Sequence, residues 1–226
     1  MRLNKALAQT THLSRRHADE AILCGEVTIN GHTAKLGQKI NPSSDQVKYK
    51  GKLLNVQPKQ HEYFLFHKPK GYITAKSDPE GKPTIYDILP KKLHHLNPVG
   101  RLDLNTSGLL ILTNDGPFIQ KMAHPSFQIK KMYEAKIRGV LPEKLIERIK
   151  RGIRLEDGLA RFENLQLMRV VGKNSWFRVT VTEGRNRLIR RVFDQVGFSV
   201  VKLKRLQMGH YCLNKLPIGV YQPFRP

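Results

Sequence analysis

The sequence predicts an α+β protein: a small helical and hairpin-bearing domain, then a larger domain around a mixed, mostly antiparallel sheet. Three observations carry this. Residues 1–56 show helical apolar spacing followed by hairpin turn signals. A polar stretch with a helix-breaking proline, QPKQH over 57–61, reads as a linker. From 62 to 226, short alternating runs are interleaved with helical ones.

In the first domain, Leu3, Ala6 and Leu7 share one helical face. Ser14 is placed to cap a second helix over 15–24, with Ala18, Ala21 and Ile22 turned inward. Gly25 stands where a glycine ends a helix. A short strand with Val27 and Ile29 runs into Asn30-Gly31, a strong hairpin signal. Further strands are expected at Val47–Tyr49 and Leu53–Leu54.

In the second domain, Tyr63–Phe66 and Leu109–Leu112 read as strands. Residues 142–151 read as a helix, with Pro142 at its start, Gly152 just beyond its end, and Leu145 and Ile149 on its inner face. Over 176–182, Phe177, Val179 and Val181 fall on one side and Arg178, Thr180 and Thr182 on the other, the pattern of a half-buried strand. A last helix is expected over 187–196, ending at Gly197.

Charge dominates the composition of the 226 residues. Lys and Arg number 40 against 18 Asp and Glu, a formal net charge of +22. A compact fold bears such self-repulsion more easily when a polyanion takes up part of it, and nucleic acid is the commonest one. No unbroken apolar run of about 18 residues occurs, so no membrane span is expected. The N-terminus lacks an apolar signal core, which points to the cytoplasm. The two cysteines, Cys24 and Cys212, form neither a disulfide scaffold nor a zinc pattern and read as buried free thiols.

Two segments carry candidate chemistry. In GRLDLNTSGLLILTNDG (100–116), Asp103 lies in a polar loop between Gly100 and Gly108, directly before an apolar strand. A carboxylate on a rigid strand's edge suits a catalytic loop, though a turn aspartate bonded to its own backbone looks the same in sequence. In EGRNRLIRRVFDQVG (183–197), Arg187, Arg190, Arg191 and Asp194 follow the spacing of one helical face. Three arginines there either face solvent or answer an anion. In the first domain, Arg2, Lys5, Arg15 and Arg16 form a solvated basic face or a platform for RNA phosphates.

The segments RLNKALAQ, the SRR helix start and GEVTINGH together resemble the alpha-L RNA-binding motif. The 100–116 segment closely resembles the central motif of the ribosomal RNA pseudouridine synthases, in the group of small-subunit type A and large-subunit type B enzymes. That resemblance implies an alpha-L domain over 1–56 and a catalytic domain over 62–226. It implies Asp103 as the catalytic aspartate and Arg101 as the residue that holds the target nucleotide out of its helix. His67-Lys68-Pro69-Lys70-Gly71-Tyr72 resembles the family's NKPxG segment, with His at the Asn place, and implies phosphate contacts for Lys68 and Lys70. Tyr133 in KKMYEAKI matches the active-site tyrosine. The 183–197 segment resembles GRNRQ(I/V)RRM, with Leu188 for the usual glutamine. It implies that Arg190 pairs with Asp103, with Arg187 beside the substrate. Leu203 in VVKLKRLQMG matches the apolar residue beneath that pair.

The implied reaction breaks the C1′–N1 bond of a uridine, turns the uracil and rejoins it through C5, with no cofactor and no metal. The family's mechanism uses the aspartate either as a nucleophile at the ribose or as a base at C2′. The implied partners are ribosomal RNA, as a structured stem-loop, and a ribosomal subunit precursor, with the protein a monomer. RGIRLEDGLARF (151–162) and SDPEGKPTIYDILP (77–90) look most like the large-subunit type B members. A small-subunit target is the alternative. A non-catalytic RNA-binding assembly factor would let the active-site set decay, whereas Asp103, Tyr133 and Arg190 are all present. A metal-dependent nuclease would want clustered carboxylates near Asp103.

Overall fold

The computed structural model of the protein describes residues 1–11, 13–57 and 60–226; His12 and residues 58 and 59 of the expected linker lie outside them. The chain divides into two compact units, Met1–Gln60 and His61–Pro226.

The first unit opens with α1 (Leu3–Thr10) and α2 (Arg15–Leu23). Ser14 caps α2 by accepting the His17 N–H at 3.1 Å. Its end is set by Cys24 as the capping residue and by Gly25 at φ +73°, a conformation that costs a residue with a Cβ more. Four short strands follow: β1 (Val27–Ile29), β2 (His32–Thr33), β3 (Val47–Tyr49) and β4 (Lys52–Leu53), ordered β2-β1-β3-β4 and all antiparallel. Asn30 and Gly31 both take positive φ, which matches the strand twist of a tight hairpin. Lys50 and Gly51 do the same between β3 and β4. Leu3, Ala6 and Leu7 of α1 meet Ala18, Ala21 and Ile22 of α2 over Val27, Ile29 and Val47.

The second unit contains β5 (Tyr63–Lys68), β6 (Asn97–Pro98), β7 (Thr106–Thr113), α3 (Gly116–Ala123), β8 (Lys131–Arg138), α4 (Glu143–Arg151), β9 (Ile153–Leu155) and β10 (Gly158–Ala160). It continues with β11 (Asn164–Val171), β12 (Asn174–Val181), α5 (Leu188–Gln195), β13 (Val200–Met208), β14 (Tyr211–Cys212) and β15 (Tyr221–Pro223). The main sheet runs β11-β12-β8-β13-β7-β5-β15, with β14 on β13 and β6 on β7; β9 and β10 pair separately. Among the described residues, β13 against β7 is its one parallel pairing, so the sheet is mixed and mostly antiparallel.

The buried side chains explain the order. Phe177, Val179 and Val181 of β12 turn inward as their alternation predicts, under Ile146 and Ile149 of α4 and Val192 and Phe193 of α5. Leu109 and Ile111 of β7 feed one core cluster while Leu110 and Leu112 feed another. Strand β7 is therefore covered on both faces, which is why it reads as a continuous apolar run.

Three expectations need correction: the burial of the cysteines, the place of Pro142 and the start of α5. Cys24 is exposed and Cys212 half-buried, because Cys24 ends its helix beyond the inward-facing turn. In α4, Ile149 is buried and Leu145 packs against the same core, as expected, with Ile146 buried beside them. Pro142 caps α4 from outside it. Helix α5 starts at Leu188, because Arg187 takes a left-handed φ of +48° as its cap. No helix among the described residues is long and apolar enough to cross a membrane.

Candidate active site

The loop between β6 and β7 carries Asp103, and its carbonyls from Leu102 to Thr106 are all tied. The Leu102 carbonyl accepts the Thr74 hydroxyl at 2.8 Å, and the Leu102 N–H donates back to Thr74 Oγ1 at 3.1 Å. The Asp103 carbonyl accepts from Lys68 Nζ at 3.1 Å and from the Thr106 N–H at 3.0 Å. The Leu104 carbonyl accepts the Gly71 N–H at 2.9 Å. The Asn105 carbonyl accepts from Arg190 Nη2 at 2.8 Å, and the Thr106 carbonyl from Lys68 Nζ at 2.9 Å. Five successive carbonyls thus have donors from β5, α5 and neighbouring loops. A loop held in this way aims its half-buried aspartate as a strand would.

Asp103 lines a cleft of about 620 Å³. Arg101, Tyr133, Arg187 and Leu203 line the same cleft, so five of the residues singled out in the sequence converge there. Arg101 and Arg187 are exposed at it; Leu203 is buried, and Tyr133 is half-buried on β8. Leu203 lies level with Thr106 on the parallel β7 strand, just past the loop.

Two other residues, Lys68 and Arg190, take places the sequence did not suggest. Lys68 is fully buried, and its ammonium is spent on the carbonyls of Pro69, Asp103 and Thr106. It cannot reach a phosphate. The reason is topological: β5 lies between β7 and β15, with both faces covered at its C-terminal end, so Phe66, His67 and Lys68 are all buried. Burial lowers the Lys68 pKa to about 8, against a partial opposing pull from Asp103. Arg190 does not form an ion pair with Asp103. Its guanidinium is committed to the Val200 carbonyl at 2.8 Å and to that of Asn105. Burial, then the charge of Arg187, lowers its pKa. Lys70 is exposed, with its pKa lowered by partial burial and by Arg190 and Lys202.

The shared arginine face over 187–194 does not form either. Arg187 sits outside the helix, Arg190 points inward, and Arg191 grips Asp157 with Nη1 and Nη2 at 3.0 and 2.8 Å. Asp157 also receives Arg185 at 3.1 Å, and these cations hold its pKa low, Arg191 first. In the first unit, Arg2, Arg15 and Arg16 are exposed and Lys5 is half-buried. Arg15 makes one long contact, 3.4 Å to Asn4 Oδ1.

Sequence reasoning missed Arg205, a buried cleft residue of β13. Its signal was present: in VVKLKRLQM it lies two residues from Leu203, hence on the same face of the strand. It missed Lys131 as well, which lines the cleft and donates to the Ile129 and Thr182 carbonyls.

Comparison with known proteins gives the site its context. The model of the RNA pseudouridylate synthase family matches residues 62–195, and that of the S4 domain matches residues 1–47. A ribosomal large subunit pseudouridine synthase B of Bacillus subtilis is 40% identical over 228 residues, spanning 100% of this chain and 92% of that one. An uncharacterised RNA pseudouridine synthase of Aquifex aeolicus is 39% identical over 224 residues, spanning 98% and 89%. A crystal structure of a pseudouridylate synthase, 29% identical, superposes with a TM-score of 0.68 over 100% of this chain and 96% of that one. A family match of this extent, joined to relatives of this identity along the whole chain, means that the protein belongs to the RNA pseudouridylate synthases and carries an S4 domain at its N-terminal end.

Proposed function

We propose that this protein isomerises one uridine of large-subunit ribosomal RNA to pseudouridine, with Asp103 as the catalytic carboxylate and no cofactor. The observation that carries the reading is the shared cleft: the Asp103 carboxylate on its tied loop, an aromatic wall, an apolar floor and two exposed arginines, with Asp78 and Glu183 also on the lining. The Tyr133 ring offers a stacking face to an extruded base, and Leu203 supports it from below. Arg101 and Arg187 suit the flanking backbone, and Lys70 an adjacent phosphate. Arg190 and Lys68 are positioning residues, which act on Asp103 through its loop. A large-subunit target is favoured by the name of the Bacillus subtilis relative.

The target base must leave its stack, at a cost of a few kcal/mol. Residues 1–56, with Arg2, Lys5, Arg15 and Arg16, supply binding energy for that step as a separate RNA-binding domain, and residues 62–226 perform the chemistry. The natural substrate is a stem-loop within a ribosomal subunit precursor in the cytoplasm, and the protein acts as a monomer. Purified wild type and Asp103→Asn, incubated with transcripts of each ribosomal RNA, test the reading by carbodiimide mapping. Wild type alone should create a pseudouridine, and in the large-subunit transcript. A product confined to the small-subunit transcript would reassign the target, and equal product from Asp103→Asn would reject the catalytic assignment.

A further inference from the structure

We propose that Arg205 stabilises the uracil anion released when the glycosidic bond breaks, which makes it a further catalytic residue of this cleft. The inference rests on the reaction proposed above. Arg205 is 2% exposed, in the middle of the main sheet, with Tyr133 of β8 on one side and Gly108 of β7 on the other. A guanidinium has five N–H donors. Arg205 spends one, from Nε to the Leu109 carbonyl at 2.8 Å. Among the described residues its Nη2 is buried without a partner, and no carboxylate pairs with it. The hydroxyl of Thr106, also at the cleft, is likewise buried and unpartnered among them.

The neighbours deepen the puzzle. Lys68 and Lys131 are buried close enough for the Arg205 charge to act on both. Each lysine is satisfied by carbonyl oxygens, which accept hydrogen bonds but bring no negative charge. A buried arginine with unmet donors is costly to fold. The cost is offset when the ligand supplies the missing anion. Placement on a central strand also fixes the guanidinium more rigidly than a loop would.

The reaction generates such an anion at this floor. Heterolysis of C1′–N1 leaves the electron pair on N1, delocalised onto the O2 and O4 carbonyl oxygens. The ring then turns, its C5 forms the new bond to C1′, the C5 proton departs, and N1 takes up a proton. Atoms and electrons balance without a co-reactant. An Arg205 N–H donated to a ring carbonyl strengthens as that oxygen gains charge, so it favours the transition state over bound uridine. A phosphate contact would instead contribute equally to binding before and after cleavage.

The test is single-turnover conversion on the large-subunit transcript, with RNA affinity and thermal midpoint measured alongside. Arg205→Gln should slow conversion about 100-fold with affinity and fold retained. Free guanidinium ion should restore part of the rate to Arg205→Ala and none to Asp103→Asn. Wild-type rates in Arg205→Gln, a rate loss that only follows weakened affinity, or no rescue of a folded Arg205→Ala would each overturn the proposal. If Arg205→Ala does not fold, Arg205→Lys decides. Slowed turnover at unchanged affinity supports the proposal, and an unchanged rate overturns it. Wild type that makes no pseudouridine would reject the proposed function itself, a result distinct from an active Arg205 variant.

Discussion

Lys68 shows what a single residue reveals in sequence and what it hides. Its charge is plain; its direction is not, because direction depends on both neighbours of β5. The same holds for Arg190, for which the family resemblance implied a carboxylate partner and whose guanidinium holds carbonyls. Asp103 was legible because a long irregular segment singled it out, whereas Arg205 needed its burial to be noticed. Lys68 also makes a pH prediction. Its folded pKa, about 8, lies below the ordinary 10.5. Between these values the unfolded chain holds a proton that the folded protein has released. Stability from this group therefore rises as pH climbs from 8 to 10.5 and is flat below about 7. Urea midpoints of wild type and Lys68→Met, taken at about pH 7 and about pH 10, should diverge in favour of wild type at the higher pH. A constant difference would contradict the buried ammonium.

Elements were legible wherever turn chemistry punctuates them. Ser14 and Gly25 bracket α2, and Asn30-Gly31 joins β1 to β2. The start of α5 was not, since Arg187 adopts a left-handed φ that side chains with a Cβ rarely take. The parallel pairing of β7 with β13 was also hidden, because strand periodicity says nothing about the partner. Gly108 is its structural signature. At φ +115°, a Cβ there would stand 2.2 Å from the Arg205 carbonyl oxygen. Gly108→Ala should therefore cost about 3 kcal/mol or more, and displace the floor of the cleft. Chemical denaturation checks this; a midpoint equal to wild type would show that the strands separate more easily than the geometry implies.

For the molecule as a whole, two compact units serve two tasks in the proposed reading. The first unit has its own apolar core and presents Arg2, Arg15 and Arg16 to solvent. The second holds the cleft. The net charge of +22 pointed to a polyanion from the start, and the S4 and synthase matches give that charge a family setting. Removing residues 1–56 should leave the second unit folded while weakening RNA binding and flattening its salt dependence, by about one unit of slope for each phosphate that the truncated protein no longer neutralises. Full activity of the truncated protein on intact ribosomal RNA would contradict the division of labour.

The central claim is that Asp103 makes one pseudouridine in ribosomal RNA. The most direct test is pseudouridine mapping in cells lacking this protein, complemented with wild type or with Asp103→Asn. Loss of one large-subunit site, restored by wild type and not by Asp103→Asn, is the predicted result. Persistence of every pseudouridine, or restoration by Asp103→Asn, would contradict it.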